Sequence, residues 1–327
     1  MGYYGGFLYG TTLYGMATSI SSVLTDSGPS TGGNDFIISG EGFWAYSWND
    51  DFTGLVLDAA KWTDVSAGTG SITVGANHLT LASGAVAGGL GGVQSVATWT
   101  DAQIEGRFVF NPITTYATGT VYSGVITLYV DANNHASIGL TYSTSSSTLN
   151  LFTEVTKGGV LIDMSATSWT TGLNTLKLLR WGSRVFFYAN GALIRIFDSF
   201  VSTAAYAGLY CTNGAQNFNA GSSVEAFYFR PFAVFDNYPV HDTVVVADNR
   251  IRGIVPPSVD NVGQSAAYAG LVDVSVVANG TDTSTDAYTY YYEDVLKILD
   301  SEQQDVAAQI INDSTTRTPT GVKKGVV

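Results

Sequence analysis

The sequence predicts an all-β chain in which one small β-sandwich is interrupted by a larger one. Most of the chain consists of short segments that alternate apolar and polar residues, separated by turn residues at hairpin-like intervals. Gly, Ser, Thr, Tyr and Val are abundant and only 13% of the residues are charged, a composition that favours strands and turns over helices. Strand-like segments near the two ends of the chain look like two halves of one domain.

The composition also restricts the class of protein. The 327 residues carry a formal net charge of −13, which repels a polyanion, so we expect no nucleic-acid partner. No apolar run reaches the length of a membrane span, and the N-terminus lacks the pattern of a secretory signal. We therefore expect no membrane span and synthesis in a cytosol. The one cysteine, Cys211, allows no intrachain disulfide and is expected to be a buried apolar residue.

Residues 1–16 are expected to form a docking arm. They repeat aromatic residues and glycine, as in the LYG triplets at 8–10 and 13–15. So much glycine disfavours a helix, and so few residues bury no core of their own. A floppy terminus is the alternative. The aromatic side chains resemble interface anchors, so we expect docking onto another subunit through Tyr3, Tyr4, Phe7, Leu8, Tyr9, Leu13 and Tyr14.

Residues 48–232 are expected to form the larger sandwich. Two hairpins are marked, DANNH at 131–135 and YANGAL at 188–193, and the Asn-Gly pair of the second suits a type I′ turn. The segments WNDDFTGLVLDAAKWT, QIEGRFVF, LKLLRWGSRVFFYANGALI and VEAFYFRPF resemble the concanavalin A-like, or laminin G-like, jelly roll. The resemblance implies an antiparallel jelly-roll sandwich and is almost silent about function.

The flanking segments 17–47 and 233–292 are similar to the two ends of an IPT/TIG domain, an immunoglobulin-like module. The matching residues are Pro29, Gly32, Gly33, Ile38, Gly40 and Phe43 in the first segment, and Pro256, Gly270, Val272, Asp273, Val274, Val276, Tyr288 and Tyr290 in the second. A sandwich with adjacent termini can be inserted into a surface loop. The resemblance thus implies an Ig-like β-sandwich split by an inserted jelly roll; two unrelated flanking fragments are the alternative.

Residues 293–327 are expected to form a C-terminal helix and a tail. Apolar residues recur at three-, four- and seven-residue intervals within 294–312, namely Val295, Leu299, Val306 and Ile310. Glu293 and Asp294 stand at the N-terminal end, where the helix dipole favours negative charge. The helix packs either against a domain or against a partner subunit, and both alternatives stay open.

Patterns for catalysis are absent, so we expect no enzyme, no catalytic residue and no metal ligand. Laminarinase-type relatives of the jelly roll place carboxylates on one strand as Glu-x-Asp-x-x-Glu or Glu-x-Asp-x-Glu, and neither spacing occurs here. Glu105 has only Arg107 beside it and is expected to be solvated or paired across strands. His78, His135 and His241 lie in different segments, which argues against a zinc site.

One loop offers oxygen ligands. Jelly rolls of this kind hold sugar or calcium in loops at one edge, and the resemblance implies this role for Asp131, Asn133 and Asn134. The alternative interpretation is a plain hairpin turn, because Asp and Asn form turns for backbone reasons. Apart from calcium in this loop, we expect no cofactor.

The combination of arm, immunoglobulin-like module and inserted jelly roll resembles the virion proteins of tailed bacteriophages. The resemblance implies a non-enzymatic structural component of the particle, in the tail, a fibre or a head decoration. We expect a homo-oligomer that is made in the host cytoplasm, binds other virion proteins through residues 1–16 and contacts host-surface glycan. Two alternatives stay open, a carbohydrate-binding adhesion module and a glycan depolymerase with an unrecognised site.

Overall fold

The computed structural model describes residues 17–43, 49–110, 120–143, 148–169, 172–214, 221–236, 238–240, 242–247, 249–258, 270–278 and 280–291. Within these ranges the chain is all-β and contains no helix, which confirms the all-β class predicted from the alternation. The chain divides into two compact units, Ala45–Arg230 and a smaller unit that combines Met1–Trp44 with Pro231–Val327. The predicted arm at 1–16 and the predicted helix at 294–312 lie outside the described residues.

The strands follow one another as three groups. The first group is β1 (Ser19–Leu24), β2 (Ser27–Pro29) and β3 (Asp35–Glu41). The second is β4 (Trp62–Asp64), β5 (Ser71–Gly75), β6 (His78–Ala82), β7 (Leu90–Trp99), β8 (Ala102–Phe110), β9 (Thr120–Asp131), β10 (Asn134–Ser143), β11 (Thr148–Lys157), β12 (Val160–Ser168), β13 (Gly172–Trp181), β14 (Arg184–Ala189), β15 (Ala192–Phe197), β16 (Ala205–Thr212) and β17 (Gly221–Phe229). The third is β18 (Phe232–Phe235), β19 (Tyr238–Val240), β20 (Val244–Ala247), β21 (Arg250–Ile254), β22 (Gly270–Val277) and β23 (Thr281–Tyr291).

The larger unit is a sandwich of two seven-stranded antiparallel sheets. The front sheet has the order β12-β11-β10-β9-β16-β7-β4, and the back sheet has the order β15-β14-β13-β8-β17-β6-β5. Alternate residues of each strand point between the sheets and form one apolar core, which includes Phe108, Leu140, Leu178, Phe187 and Leu209. Because the side-chain period of a strand is two, the remaining residues of each strand lie on the outer faces.

Hairpin turns join many of these strands, and the predicted Asn-Gly turn is confirmed. Asn190 and Gly191 connect β14 to β15 with φ angles of +50° and +81°. Two successive positive φ angles are what a type I′ turn requires, and its twist matches that of the flanking strands.

A buried arginine holds the connection between β15 and β16. The guanidinium of Arg180 donates hydrogen bonds to the carbonyl oxygens of Gly182, Val201 and Thr203, at 3.3, 2.6 and 2.8 Å, and lies over the ring of Phe200. Burial lowers the pKa of Arg180 from its ordinary value. A buried cation is tolerated because its donors find acceptors, so this side chain orders the segment that leads into β16.

The smaller unit is built from both ends of the chain. Its two sheets have the orders β1-β3-β21-β20 and β19-β18-β22-β23-β2, so each sheet contains strands from both segments. Phe36 from the first segment packs against Phe235 from the second, with ring centroids 5.0 Å apart. Phe235 in turn packs against Tyr288, with ring centroids 5.2 Å apart. The two segments therefore share one core, whereas the immunoglobulin-like identity of this unit stays a prediction.

The thiol of Cys211 lies in the core of the sandwich, as the sequence predicted. It is fully buried, and burial raises its pKa to about 12. At pH 8 the Cys211 thiol is therefore almost entirely protonated, and the thiolate is the reactive form. We expect Ellman's reagent to leave the native protein unlabelled at pH 8 and to label it fully in guanidinium chloride. Rapid labelling of the native protein would contradict this placement.

The strand β13 provides a matched test of the core. Leu178 is fully buried, whereas Leu173 on the same strand is 57% exposed. Leu178→Ala is expected to lower the free energy of unfolding by about 2–5 kcal/mol, because it removes apolar contacts and leaves a cavity. Leu173→Ala should change it by less than about 0.5 kcal/mol. Denaturation in urea, followed by tryptophan fluorescence, measures both, and equal effects of the two substitutions would disprove the assigned faces.

Candidate functional site

On the outer face of the front sheet, residues of five strands lie in register, and four of them have polar side chains. One row across the sheet contains Glu154, Ser137, Thr127, Gly208 and Gln94. The adjacent row contains His135, Tyr129 and Tyr206. With neighbouring strands about 4.8 Å apart, five strands span roughly 19 Å. We call this surface the tyrosine face and define it by Tyr122, Tyr129, His135, Glu154, Tyr206 and Tyr210.

A carboxylate and an imidazole meet on the tyrosine face. The Nε2 atom of His135 lies 3.2 Å from Oε1 of Glu154, and both side chains are 21% exposed. The Nδ1 atom of His135 is buried and has no hydrogen-bond partner among the described residues. The tautomer with its proton on Nε2 therefore fits best, and it donates to Glu154. This hydrogen bond orients the carboxylate while leaving its second oxygen for another partner.

Two phenols respond to the charge of this carboxylate. Burial raises the pKa of Tyr122 above its ordinary value, and the negative charge of Glu154 raises it further. Burial is also the largest cause of the raised pKa of Tyr210, to which Glu154 contributes. Both phenols consequently keep their protons at neutral pH, so each can donate one hydrogen bond and accept others.

Small residues form the floor between these aromatic side chains. A Cβ atom at Gly208 would lie 2.7 Å from Cγ2 of Thr127, and one at Gly139 would lie 2.8 Å from the ring of Phe152. The hydroxyl of Ser137 donates to that of Thr127 at 2.9 Å, and both side chains are buried. The half-buried tyrosine side chains, with one apolar ring and one hydroxyl each, are therefore what this face offers to a ligand.

The predicted ligand loop is the turn between β9 and β10, at one end of the same sheet. One oxygen of Asp131 accepts hydrogen bonds from the backbone N–H of Asn133 at 2.7 Å and from the amide of Asn134 at 3.0 Å. The oxygen of the Asn134 side chain accepts from the N–H of Gly158 in the next hairpin, at 3.0 Å. These polar groups are thus engaged in holding two turns together, and a role of the loop in binding sugar or calcium stays a prediction.

The other residues considered from the sequence lie apart. Glu105 is on the outer face of the back sheet, 3.8 Å from Nζ of Lys177 and 3.5 Å from Nη2 of Arg230, so the cross-strand alternative is the one observed. His78 is the first residue of β6, directly after the turn from β5. His241 lies outside the described residues. Among the described residues no cluster of three His, Cys, Asp or Glu side chains could hold a metal ion.

The search for similar proteins gave matches among solved structures alone. No family model and no curated protein matches the chain. A Bacillus licheniformis beta-glucanase is 12% identical, covering 56% of this chain and 96% of its own, with a TM-score of 0.43. The laminarinase from Flavobacterium sp. UMI-01 is 13% identical, with 56% and 98% covered and a TM-score of 0.44. For the Bacteroides ovatus Xyloglucan PUL GH43B, 15% identical at a TM-score of 0.45, the match covers 56% of this chain and 39% of that protein.

These findings correct the functional expectation, while at such identities the likeness concerns the fold alone. The prediction of a non-enzymatic structural component is wrong, because the solved structures similar to the sandwich are named as a glucanase, a laminarinase and a GH43 protein. The prediction rested on the absence of carboxylates spaced along one strand. Reactive groups can also come from neighbouring strands, as Glu154 and His135 do, and spacing along a single strand does not detect them.

Sequence reasoning missed the tyrosine face. Its residues stand at outward positions of strands that the alternation predicted. However, Tyr206 and Glu154 lie far apart along the chain and are three strand spacings apart in the sheet. The available signal was the recurrence of tyrosine at alternate polar positions in β9 and β16. That signal lacks the strand order, which decides which outward residues become neighbours.

Among the described residues, no helix has the length and apolar character to cross a bilayer.

The turn between β9 and β10 allows a test of what Asp131 does. Asp131→Ala is expected to lower the free energy of unfolding by about 1 kcal/mol, since hydrogen bonds within an exposed turn are lost. The control Glu225→Ala removes an exposed carboxylate of β17 and should have almost no effect. Urea denaturation measures both variants with and without added calcium. A stabilisation by calcium that Asp131→Ala abolishes would instead support the ligand-loop interpretation.

Proposed function

We propose that the tyrosine face binds a glycan and that the protein processes it, with Glu154 as the acid–base group. The observation that carries this proposal is the hydrogen-bonded pair of Glu154 and His135 within a set of half-buried tyrosines. Aromatic rings offer flat apolar surfaces to the C–H groups of a sugar, and phenols bond its hydroxyls. A face about 19 Å wide accommodates several sugar units.

The chemistry follows from what the pair can do with a proton. A carboxyl group that is oriented by a neighbouring imidazole and open to a bound ligand is suited to general acid–base catalysis. His135 holds Glu154 through one oxygen, which leaves the second oxygen for the substrate in this proposal. The usual glycosidase uses two carboxyl groups. Among the described residues of this face Glu154 is the one carboxylate, so the second group of the pair is the imidazole of His135, which orients Glu154.

The charge of the face indicates a neutral glycan. The described part of the tyrosine face contains no lysine or arginine, so the carboxylate or sulfate groups of an acidic glycan would find no counter-charge there. The chain as a whole carries a net charge of −13 and repels polyanions. A neutral polysaccharide meets neither obstacle. The names of the similar solved structures, a beta-glucanase and a laminarinase among them, are compatible with this class.

The finer description of the fold is also proposed here. An Ig-like module split by a concanavalin A-like sandwich is supported by the way both ends of the chain share the core of the smaller unit. Two chain connections would then join the units. The virion location, the homo-oligomer and the docking of residues 1–16 stay predictions.

Binding and turnover can be tested separately. We expect the protein to bind a neutral polysaccharide in affinity electrophoresis and to release new reducing ends from it. Glu154→Gln keeps an acceptor for His135, so it should preserve binding and lower turnover by about 10²-fold or more. Tyr206→Ala should weaken binding by about tenfold, because it removes one ring from the binding surface.

The controls separate this site from the rest of the sandwich. Glu225→Gln changes an exposed carboxylate of the back sheet and should leave binding and turnover unchanged. Turnover that persists in Glu154→Gln would exclude Glu154 as the acid–base group. Binding that is unaffected by Tyr206→Ala would place the glycan on another surface, and binding without turnover in the unaltered protein would reduce the proposal to recognition alone.

A further inference from the structure

The front sheet of the sandwich ends in a long and exposed strand edge. β12 is the outermost strand of this sheet, and among the described strands it pairs with β11 alone. It contains nine residues, whereas the other edge strands of the described sheets contain three to six. Val160, Leu161 and Ile162 are 60%, 52% and 43% exposed, and residues 166–168 are exposed as well. The free side of β12 is therefore open to solvent.

The alternation of the ladder shows which backbone groups of β12 point away from β11. The N–H of Trp169 donates to the carbonyl oxygen of Leu149 at 2.9 Å, and the two residues lie opposite each other when the register of β11 and β12 is continued by one residue. In an antiparallel ladder, hydrogen-bonded pairs alternate with pairs whose N–H and C=O groups point to the other side. Met164, Ala166 and Ser168 therefore direct their N–H and C=O groups away from β11.

Edge strands of natural proteins usually carry features that prevent them from pairing with another chain. Such features are lysine or arginine side chains, proline, a bulge or short length. The sequence of β12 contains no Lys, Arg or Pro, and Asp163 is its one charged residue. The bulge of β12 lies between Leu161 and Asp163, so it leaves residues 163–169 in regular register. This regular stretch is therefore able to pair with another strand.

We propose that β12 pairs with β12 of a second copy of the chain, antiparallel and about a two-fold axis at Ala166. In this register Met164 of each copy lies opposite Ser168 of the other, and Ala166 lies opposite Ala166. All three residues with outward backbone groups then belong to hydrogen-bonded pairs, which gives about six hydrogen bonds at two per pair. The sequence led us to expect a homo-oligomer, and this proposal assigns its contact surface.

The residues of β12 favour a second copy as the occupant of this edge. A partner strand needs an open edge of matching length and alternation, and a second β12 supplies one by symmetry. Alanine at the axis keeps bulky side chains away from it, and Asp163 lies opposite Trp169, so the register sets no carboxylate opposite another. The two seven-stranded front sheets become one continuous sheet. Because the axis is perpendicular to that sheet, both tyrosine faces lie on the same side of it.

A charge placed at the two-fold axis tests the proposal in the full chain. Sedimentation velocity should show a monomer and a dimer, with more dimer at higher salt, because each copy carries a net charge of −13 while the ladder consists of uncharged groups. Ala166→Lys should raise the dissociation constant of the dimer by about tenfold or more, since two lysines then face each other. The control Thr63→Lys makes the same change on β4, at the opposite edge of the same sheet, and should have no effect.

A second variant locates the axis. Ala166→Glu alone should weaken the dimer as Ala166→Lys does, but an equal mixture of the two variants should restore it, because opposite charges then meet across the axis. This recovery also shows that both variants are folded. Ala166→Cys should form a disulfide between two chains under mild oxidation, since the Cα atoms of a hydrogen-bonded pair lie about 5.5 Å apart. The control Thr63→Cys should form none.

Several results would overturn the proposal. They are an unaltered protein that stays monomeric at every concentration, a dimer that Ala166→Lys and Thr63→Lys affect equally, and a mixture of the two charge variants that shows no recovery. A dimer that weakens as the salt concentration rises would overturn it as well, because ion pairs would then hold the two copies together.

Discussion

The structure depends on one constraint, the burial of alternate side chains between two seven-stranded sheets. Leu140 on the front sheet and Leu178 on the back sheet are fully buried in the same apolar core. Since apolar burial is the main favourable term in folding, the register of every strand is determined by which residues enter this core. Shifting one strand by a single residue would turn its apolar residues outward. The residues that do not enter the core lie on the outer faces, and the candidate site consists of such residues.

The tyrosine face follows from this constraint together with the order of the strands. His135 and Glu154 belong to consecutive strands of one hairpin, so their proximity is local. Tyr206 and Gln94 reach the same face because β16 and β7 are inserted beside β9 in the sheet. The buried Arg180 orders the connection that leads into β16 and thereby contributes to the position of Tyr206. A site assembled in this way is distributed over the chain and is held by the core beneath it.

The same physical logic explains why an enzyme could not be excluded from motifs. A strand that carries two carboxylates at alternate positions is one way to place reactive groups on a face. Two neighbouring strands that carry one group each can give the same proximity, since long side chains reach both the opposite and the diagonal residue of the next strand. The smaller unit shows a comparable effect, because Leu24 and Val244 are far apart along the chain yet belong to one row of its four-stranded sheet.

The sequence by itself determined the all-β class, the strands with clear alternation, the type I′ turn at Asn190 and Gly191, and the buried state of Cys211. These features are local, since they depend on period-two patterning, on φ preferences and on the apolar character of single residues. The tertiary structure alone decided which strands are neighbours, and with them the pairing of Glu154 with His135 and the position of β12 at an open edge. Strand order is set by the packing of the whole core, which no short segment of sequence contains.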